Sequence, residues 1–159
     1  MTMALGSVPR PLLADVQHPD ARRLLEARQA GLGELFGFRG FALADRPQFR
    51  APLGAFLVAY AGGEAIACGG ICPLEALART AEVKRMFTVP AWRRRGLGVR
   101  ILRALESEAQ ALGYRSTALE TGTVMHWAGA LYEAQGHKRI PLHPPYLTSG
   151  YSTCLAKGL

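Results

Sequence analysis

The stretch Met86-Phe87-Thr88-Val89-Pro90-Ala91-Trp92-Arg93-Arg94-Arg95-Gly96-Leu97-Gly98 decides the reading of this chain. An apolar, strand-like run stops at Pro90, which cannot continue a ladder. Gly96 then opens a strongly periodic segment that runs to Leu112. Leu97, Ile101, Leu105 and Leu112 share one face of the helix expected there. Arg100, Arg103, Glu106 and Gln110 fall on the other. The first N–H groups of a helix have no partner inside it and carry the positive end of its dipole. Glycines at 96 and 98 let a ligand approach that backbone. Arg93, Arg94 and Arg95 add charge and bidentate donors at the mouth. Phosphate or pyrophosphate is the guest such a turn suits.

Working outward, Gly54 to Tyr60 and Ala65 to Cys72 read as strands of a hairpin closed by Ala61-Gly62-Gly63-Glu64. Pro73 ends the hairpin, and Ala81 to Val89 is a third strand. Beyond the periodic helix, Gly113 supplies a C-terminal cap. Arg115 to Glu120 is the next strand, Trp127 to Ala134 a short helix ended by Gly136, and Tyr151 to Ala156 a last strand. Pro141, Pro144 and Pro145 mark a loop. Toward the N-terminus, Pro11 to Val16 suits a short strand and Asp20 to Gly33 a helix carrying Leu24, Leu25 and Leu32. Phe36, Phe38 and Phe41 then fit either a second helix or an aromatic-lined loop. A hairpin joined to a strand–helix–strand unit implies a mixed sheet with a right-handed crossover.

At 159 residues the chain fits one domain, 1–159, with a sizeable core. No apolar run approaches the roughly 20 residues that span a bilayer, and no secretory signal is evident. Cys68, Cys72 and Cys154 are too sparse for a metal or disulfide framework. The first two alternate onto one strand face as buried thiols, so a reducing cytoplasm and no metal are expected. The net charge of +7 is compatible with nucleic acid. The cations, however, gather from Lys84 to Arg103 around the glycine turn, without interleaved aromatics. A polyanionic small ligand fits better than nucleic acid or a membrane.

The arginine–glycine stretch resembles the central strand and acetyl-CoA pyrophosphate loop of the GNAT N-acetyltransferases, whose pattern falls here on Arg93, Gly96 and Gly98. Leu119-Glu120-Thr121-Gly122 and Ala130-Leu131-Tyr132-Glu133-Ala134-Gln135-Gly136 resemble that family's next strand and following helix. The resemblance covers about Ala81 to Gly136. It departs at His137, where the family usually has Phe, and at His126-Trp127, where it often has Asn. The resemblance implies an α/β (α+β) fold with a mixed, mostly antiparallel sheet, helices on both faces and a splayed central strand pair. It implies acetyl-CoA as acyl donor and direct transfer to an amine without an acyl-enzyme. The pantetheine arm would pair along Met86, Phe87 and Thr88, with an N–H near Phe87 facing the thioester oxygen. The N–H groups of Arg95, Gly96, Leu97, Gly98 and Val99 would hold the pyrophosphate.

The same resemblance makes Tyr132 the candidate general acid toward the leaving thiolate. The alternative is an amphipathic core tyrosine. Glu82, early on the central strand, and Glu120, ending its neighbour, compete as general base; a solvated strand-end charge is the plain alternative for Glu82. Lys84 and Arg85 fall on opposite faces of an extended strand and could meet an acceptor carboxylate. Thr121 is a further acceptor-side candidate. His126, His137 and His143 are expected at the surface or in packing. Gly96-Leu97-Gly98 also matches the start of a dinucleotide fingerprint, with Glu120 about 20 residues on. Ile101 replaces its third glycine and a hairpin precedes it, which argues against that reading. A non-catalytic acyl-CoA or nucleic-acid module is the other alternative. The expected acceptor is a small-molecule amine, with a protein amine as second candidate. Exposed sheet edges leave a homodimer open.

Overall fold

The structure is a computed structural model that describes residues 9–36, 47–123 and 125–159. Its elements run β1 (Pro11–Leu13), α1 (Pro19–Phe36), β2 (Ala55–Ala61), β3 (Glu64–Pro73), β4 (Thr80–Thr88), α2 (Leu97–Ala111), β5 (Ser116–Gly122), α3 (His126–Ala134), β6 (Lys138–Ile140) and β7 (Ser152–Gly158). The strands form one sheet in the order β1-β2-β3-β4-β5-β7-β6. Every neighbouring pair is antiparallel except β4–β5, which α2 joins as a parallel crossover.

Two cores lie on the two faces of this sheet. On one, Leu97, Ile101, Leu102, Leu105 and Ala109 of α2 pack against Leu57, Ile66, Ile71, Ala81, Val83 and Leu119. On the other, Ala21, Leu24 and Leu25 of α1 pack against Phe56, Val58, Cys68 and Cys72. The two thiols thus share a face, as their spacing implied. A sheet buried on both sides explains why β2 and β3 read as nearly unbroken apolar runs.

The parallel pair is short. Thr80, Ala81 and Glu82 match Ser116, Thr117 and Ala118, and pairing between β4 and β5 stops there. Farther along, β4 stays bound to β3 alone and β5 to β7 alone. The strands therefore splay into a slot between Val83–Thr88 and Leu119–Gly122. A bulge shapes its β4 wall. Lys84 faces Gly70 and Phe87 faces Cys68, so Arg85 and Met86 together oppose Gly69. A Cβ on Gly69 would lie 2.5 Å from Met86 Sδ and 2.7 Å from Ile101 Cγ2, so only glycine leaves room there.

Several sequence expectations change. Arg85 has φ of +64°, so strict alternation fails at the bulge, and Lys84 and Arg85 are not simply opposite faces of an extended strand. Glu106 does not face solvent with Arg103. It turns to the flank of α2 and pairs with Lys157 at 3.1 Å. β6 is an addition to the expected strands: its Lys138-Arg139 pair carries no apolar pattern, and pairing with β7 makes it a strand. α1 runs on through Phe36. Phe38 and Phe41 lie outside the described residues.

Candidate active site

The turn into α2 opens on Gly96, where the sequence places the start of the helix. Gly96 caps α2 in the left-handed region, with φ of 78°, where an L side chain is disfavoured. The amide of Arg100 reaches back to Gly96 O at 3.1 Å. The amides of Leu97, Gly98 and Val99 precede it and have no carbonyl four residues back within the helix. A Cβ on Gly96 would meet nothing within 4 Å, whereas one on Gly98 would sit 3.2 Å from Leu131 Cδ1. Gly98 thus lets α3 seat close beside the start of α2. The arginines are exposed and held apart. Arg93 Nε donates to Thr88 O at 3.0 Å and its guanidinium lies over Phe87. Arg95 stacks on Trp92 at 4.6 Å, and Arg94 takes φ of +61° between them. Unpaired backbone donors at the start of α2, with three exposed arginines in the turn before them, make a positively charged end to the helix.

Backbone direction in β4 follows from one bond. Val89 N–H donates to Ile66 O on β3. Alternation then turns the amide of Phe87 to β3 and those of Met86 and Thr88 to the slot. The amides that face the slot are therefore those on either side of Phe87. On the slot side, Thr88 O is taken by Arg93 and Met86 O by Arg28 Nε at 3.3 Å.

Tyr132, on α3, is 9% exposed and packs into the α2-side core. Burial pushes its phenol up to about 12, and the nearby Arg28 charge works the other way. Beneath it, His137 fills the place of the usual Phe. It is 2% exposed, edge-on to Tyr132, with Nε2 3.2 Å from Thr117 Oγ1 and Nδ1 without a partner among the described residues. Burial lowers its pKa. His126 and Trp127 are exposed.

Glu82 is 6% exposed, not a solvated strand-end charge. Lys84 Nζ lies 2.9 Å from its Oε1, and the Tyr146 hydroxyl donates to Oε2 at 3.3 Å. Lys84 Nζ also donates to Tyr146 Oη at 3.1 Å. Burial opposes the Lys84 charge, but Glu82 and Tyr146 together outweigh it and raise the pKa. The edge of His143 stacks on Tyr146 at 5.5 Å. This triangle fastens the 141–150 loop to β4.

Glu120 accepts from Ser152 Oγ at 2.7 Å through Oε1. Because Ala81, Val83 and Leu119 pack under α2, alternation sends Glu82, Lys84 and Glu120 to the α1 face. Thr121, 8% exposed, goes with Leu119 to the α2 face and does not join that cluster. Arg85 O accepts from Cys68 Sγ at 3.5 Å. Two residues of the site were not anticipated. Tyr146 gives no local signal beyond the prolines before it. Arg28 does: it falls three and four residues after Leu25 and Leu24, a charge on a buried stripe. Among the described residues, no three His, Cys, Asp or Glu side chains converge for a metal, and no helix is long and apolar enough to cross a membrane.

Comparison with known proteins agrees with this geometry. The chain is 36% identical over 137 residues to a protein named IAA acetyltransferase from Azospirillum brasilense, covering 86% of this chain and 89% of that one. A crystal structure from Klebsiella pneumoniae, assigned as an acyl-CoA N-acyltransferase, superposes with a TM-score of 0.81 at 27% identity, over 96% of this chain and 98% of that chain. A GNAT family acetyltransferase of Elizabethkingia anophelis, solved with acetyl-CoA bound, shares the fold with a TM-score of 0.69 at 17% identity, over 95% and 98% of the two chains. Residues 20–137 match the acetyltransferase (GNAT) family, and the chain belongs to it.

Proposed function

We propose that this acetyltransferase moves an acetyl group from acetyl-CoA to the primary amine of a small molecule, in a ternary complex and without an acyl-enzyme. One observation supports the reading most: β4–β5 pairing ends at Glu82 and Ala118, and α3, which carries Tyr132, packs through Leu131 beside Gly98 at the start of α2. The naming of the Azospirillum relative as an IAA acetyltransferase supports a small acceptor.

Acetyl-CoA supplies a thioester: an amine nitrogen forms the new C–N bond as the C–S bond breaks, giving an amide, CoA thiol and one proton. The amides of Leu97, Gly98 and Val99 and the arginine rim hold the pyrophosphate. The slot-side amides of Met86 and Thr88 donate to oxygen as negative charge grows on it. Tyr132 Oη gives its proton to the leaving sulfur and recovers one from solvent; its raised pKa keeps that proton in place until then. Glu120 takes the proton of the incoming ammonium. Glu82 is less suited, since Lys84 and Tyr146 already occupy both of its oxygens. The Pro141–Gly150 loop forms the wall on the acceptor side.

Tyr132→Phe tests the assignment. It should lower turnover about 100-fold or more, in the range of general acid catalysis, with acetyl-CoA affinity unchanged. Equal turnover in a thiol-release assay would remove Tyr132 from the chemistry.

A further inference from the structure

Arg28 is the group that this reaction scheme leaves unused. It projects from the buried stripe of α1, and its Nε is spent on Met86 O, at the bulge of β4. That bond fixes the guanidinium at the slot. The remaining four N–H donors find no hydrogen-bond acceptor among the described residues, and no described carboxylate lies within 4 Å of the group. Its charge nevertheless reaches both the Tyr132 hydroxyl and the Glu120 carboxylate. A half-buried cation held in place gains from an anionic partner. Lys84 cannot play the same part, because Glu82 already neutralises it at 2.9 Å.

Position narrows the chemistry. In an α-amino acid the carboxylate is attached to the carbon that bears the nitrogen. If the amine is to reach a thioester beside Tyr132, that carboxylate must be met within a few ångströms of the reacting atoms. Arg28 offers a planar fork there, and guanidinium matches carboxylate bidentately. A simple amine would leave the half-buried cation unanswered.

We propose that Arg28 binds the acceptor's carboxylate, which makes the substrates amines that carry a carboxylate beside the nitrogen, α-amino acids above all. The inference rests on the acetyl-transfer reading and adds the acceptor class.

The test compares matched amines with wild-type protein: phenylalanine with phenethylamine, leucine with isoamylamine, lysine with cadaverine. Thiol release is read for each, and binding to the CoA-saturated protein is measured in parallel. For at least one pair the amino acid should be preferred by on the order of 10- to 100-fold, the size of one or two charge-assisted hydrogen bonds. Arg28→Met should erase that preference by raising KM for the amino acid far more than for its decarboxylated partner. Arg28→Lys, which keeps charge but loses the fork, should fall between. Equal use of both members of every pair by wild-type protein overturns the proposal. So does an equal loss for both members in Arg28→Met, which would mean that Arg28 only ties α1 to β4. Failure of every amine to react or bind also overturns it. If acetyl-CoA still binds in that case, the acetyl-transfer reading survives; if it does not, both fail.

Discussion

Lys84→Met is the sharpest perturbation of the acceptor wall. In the native protein the Lys84 side chain is 16% exposed and the Glu82 side chain 7%, with 2.9 Å between their charged atoms. Removing the ammonium strands a buried carboxylate whose one other partner among the described residues is the Tyr146 hydroxyl. Breaking one side of such a pair costs about 3–5 kcal/mol. The bond to Tyr146 softens that, so about 3 kcal/mol is expected. For a domain of this size each kcal/mol shifts Tm by about 2–4 °C, which gives a loss of roughly 6–12 °C. The double variant Glu82→Leu with Lys84→Met removes both charges and should recover most of the loss, since apolar replacement of a whole buried pair is often neutral. Thermal melts of the three proteins at neutral pH decide it. A shift below about 2 °C for Lys84→Met, or a double variant worse than the single, would refute the argument that these groups are a desolvated pair pinning the 141–150 loop. The raised Lys84 pKa adds a sign. The pair's contribution should be complete below pH 10.5, the ordinary lysine value, and fade as pH climbs through the higher folded value.

Three further outcomes follow from the geometry. His137 is held neutral by burial, so the unfolded chain binds the extra proton and stability should fall as pH drops below 6.5 toward the lower folded value, by at most about 1.4 kcal/mol per pH unit. His137→Phe, paired with Thr117→Val so that no hydroxyl is orphaned, should flatten that part of the stability–pH curve. Gly69→Ala places a methyl against Met86 and Ile101 and should cost about 1–3 kcal/mol by overpacking, read in a urea melt. Gly98→Trp should displace Leu131 and cover the α2 amides, weakening acetyl-CoA binding at least about 10-fold in calorimetry; unchanged affinity in a folded variant would remove Gly98 from the anion site.

What the sequence disclosed depends on how local each feature is. The Arg93–Gly98 turn, the Gly62-Gly63 hairpin and the α2 stripe are encoded within a few residues, so pattern and propensity suffice. The bulge is a property of two strands. Gly69 on β3, which makes room for it, carries the signal, while Arg85, which takes the unusual φ, carries none. Glu82 looked solvated because its partner Tyr146 is 64 residues away. β6 owes its existence to β7. Arg28 was legible in principle, as a charge in register with Leu24 and Leu25, and was overlooked because helix reading attends to the apolar residues.

Isothermal titration of the folded protein with acetyl-CoA tests the central claim most directly. Saturable one-site binding, competed by CoA and weakened by Gly98→Trp, is the expected result. Absence of binding by protein with a cooperative thermal melt would contradict the assignment of the slot and the α2 N-terminus as the acyl-donor site.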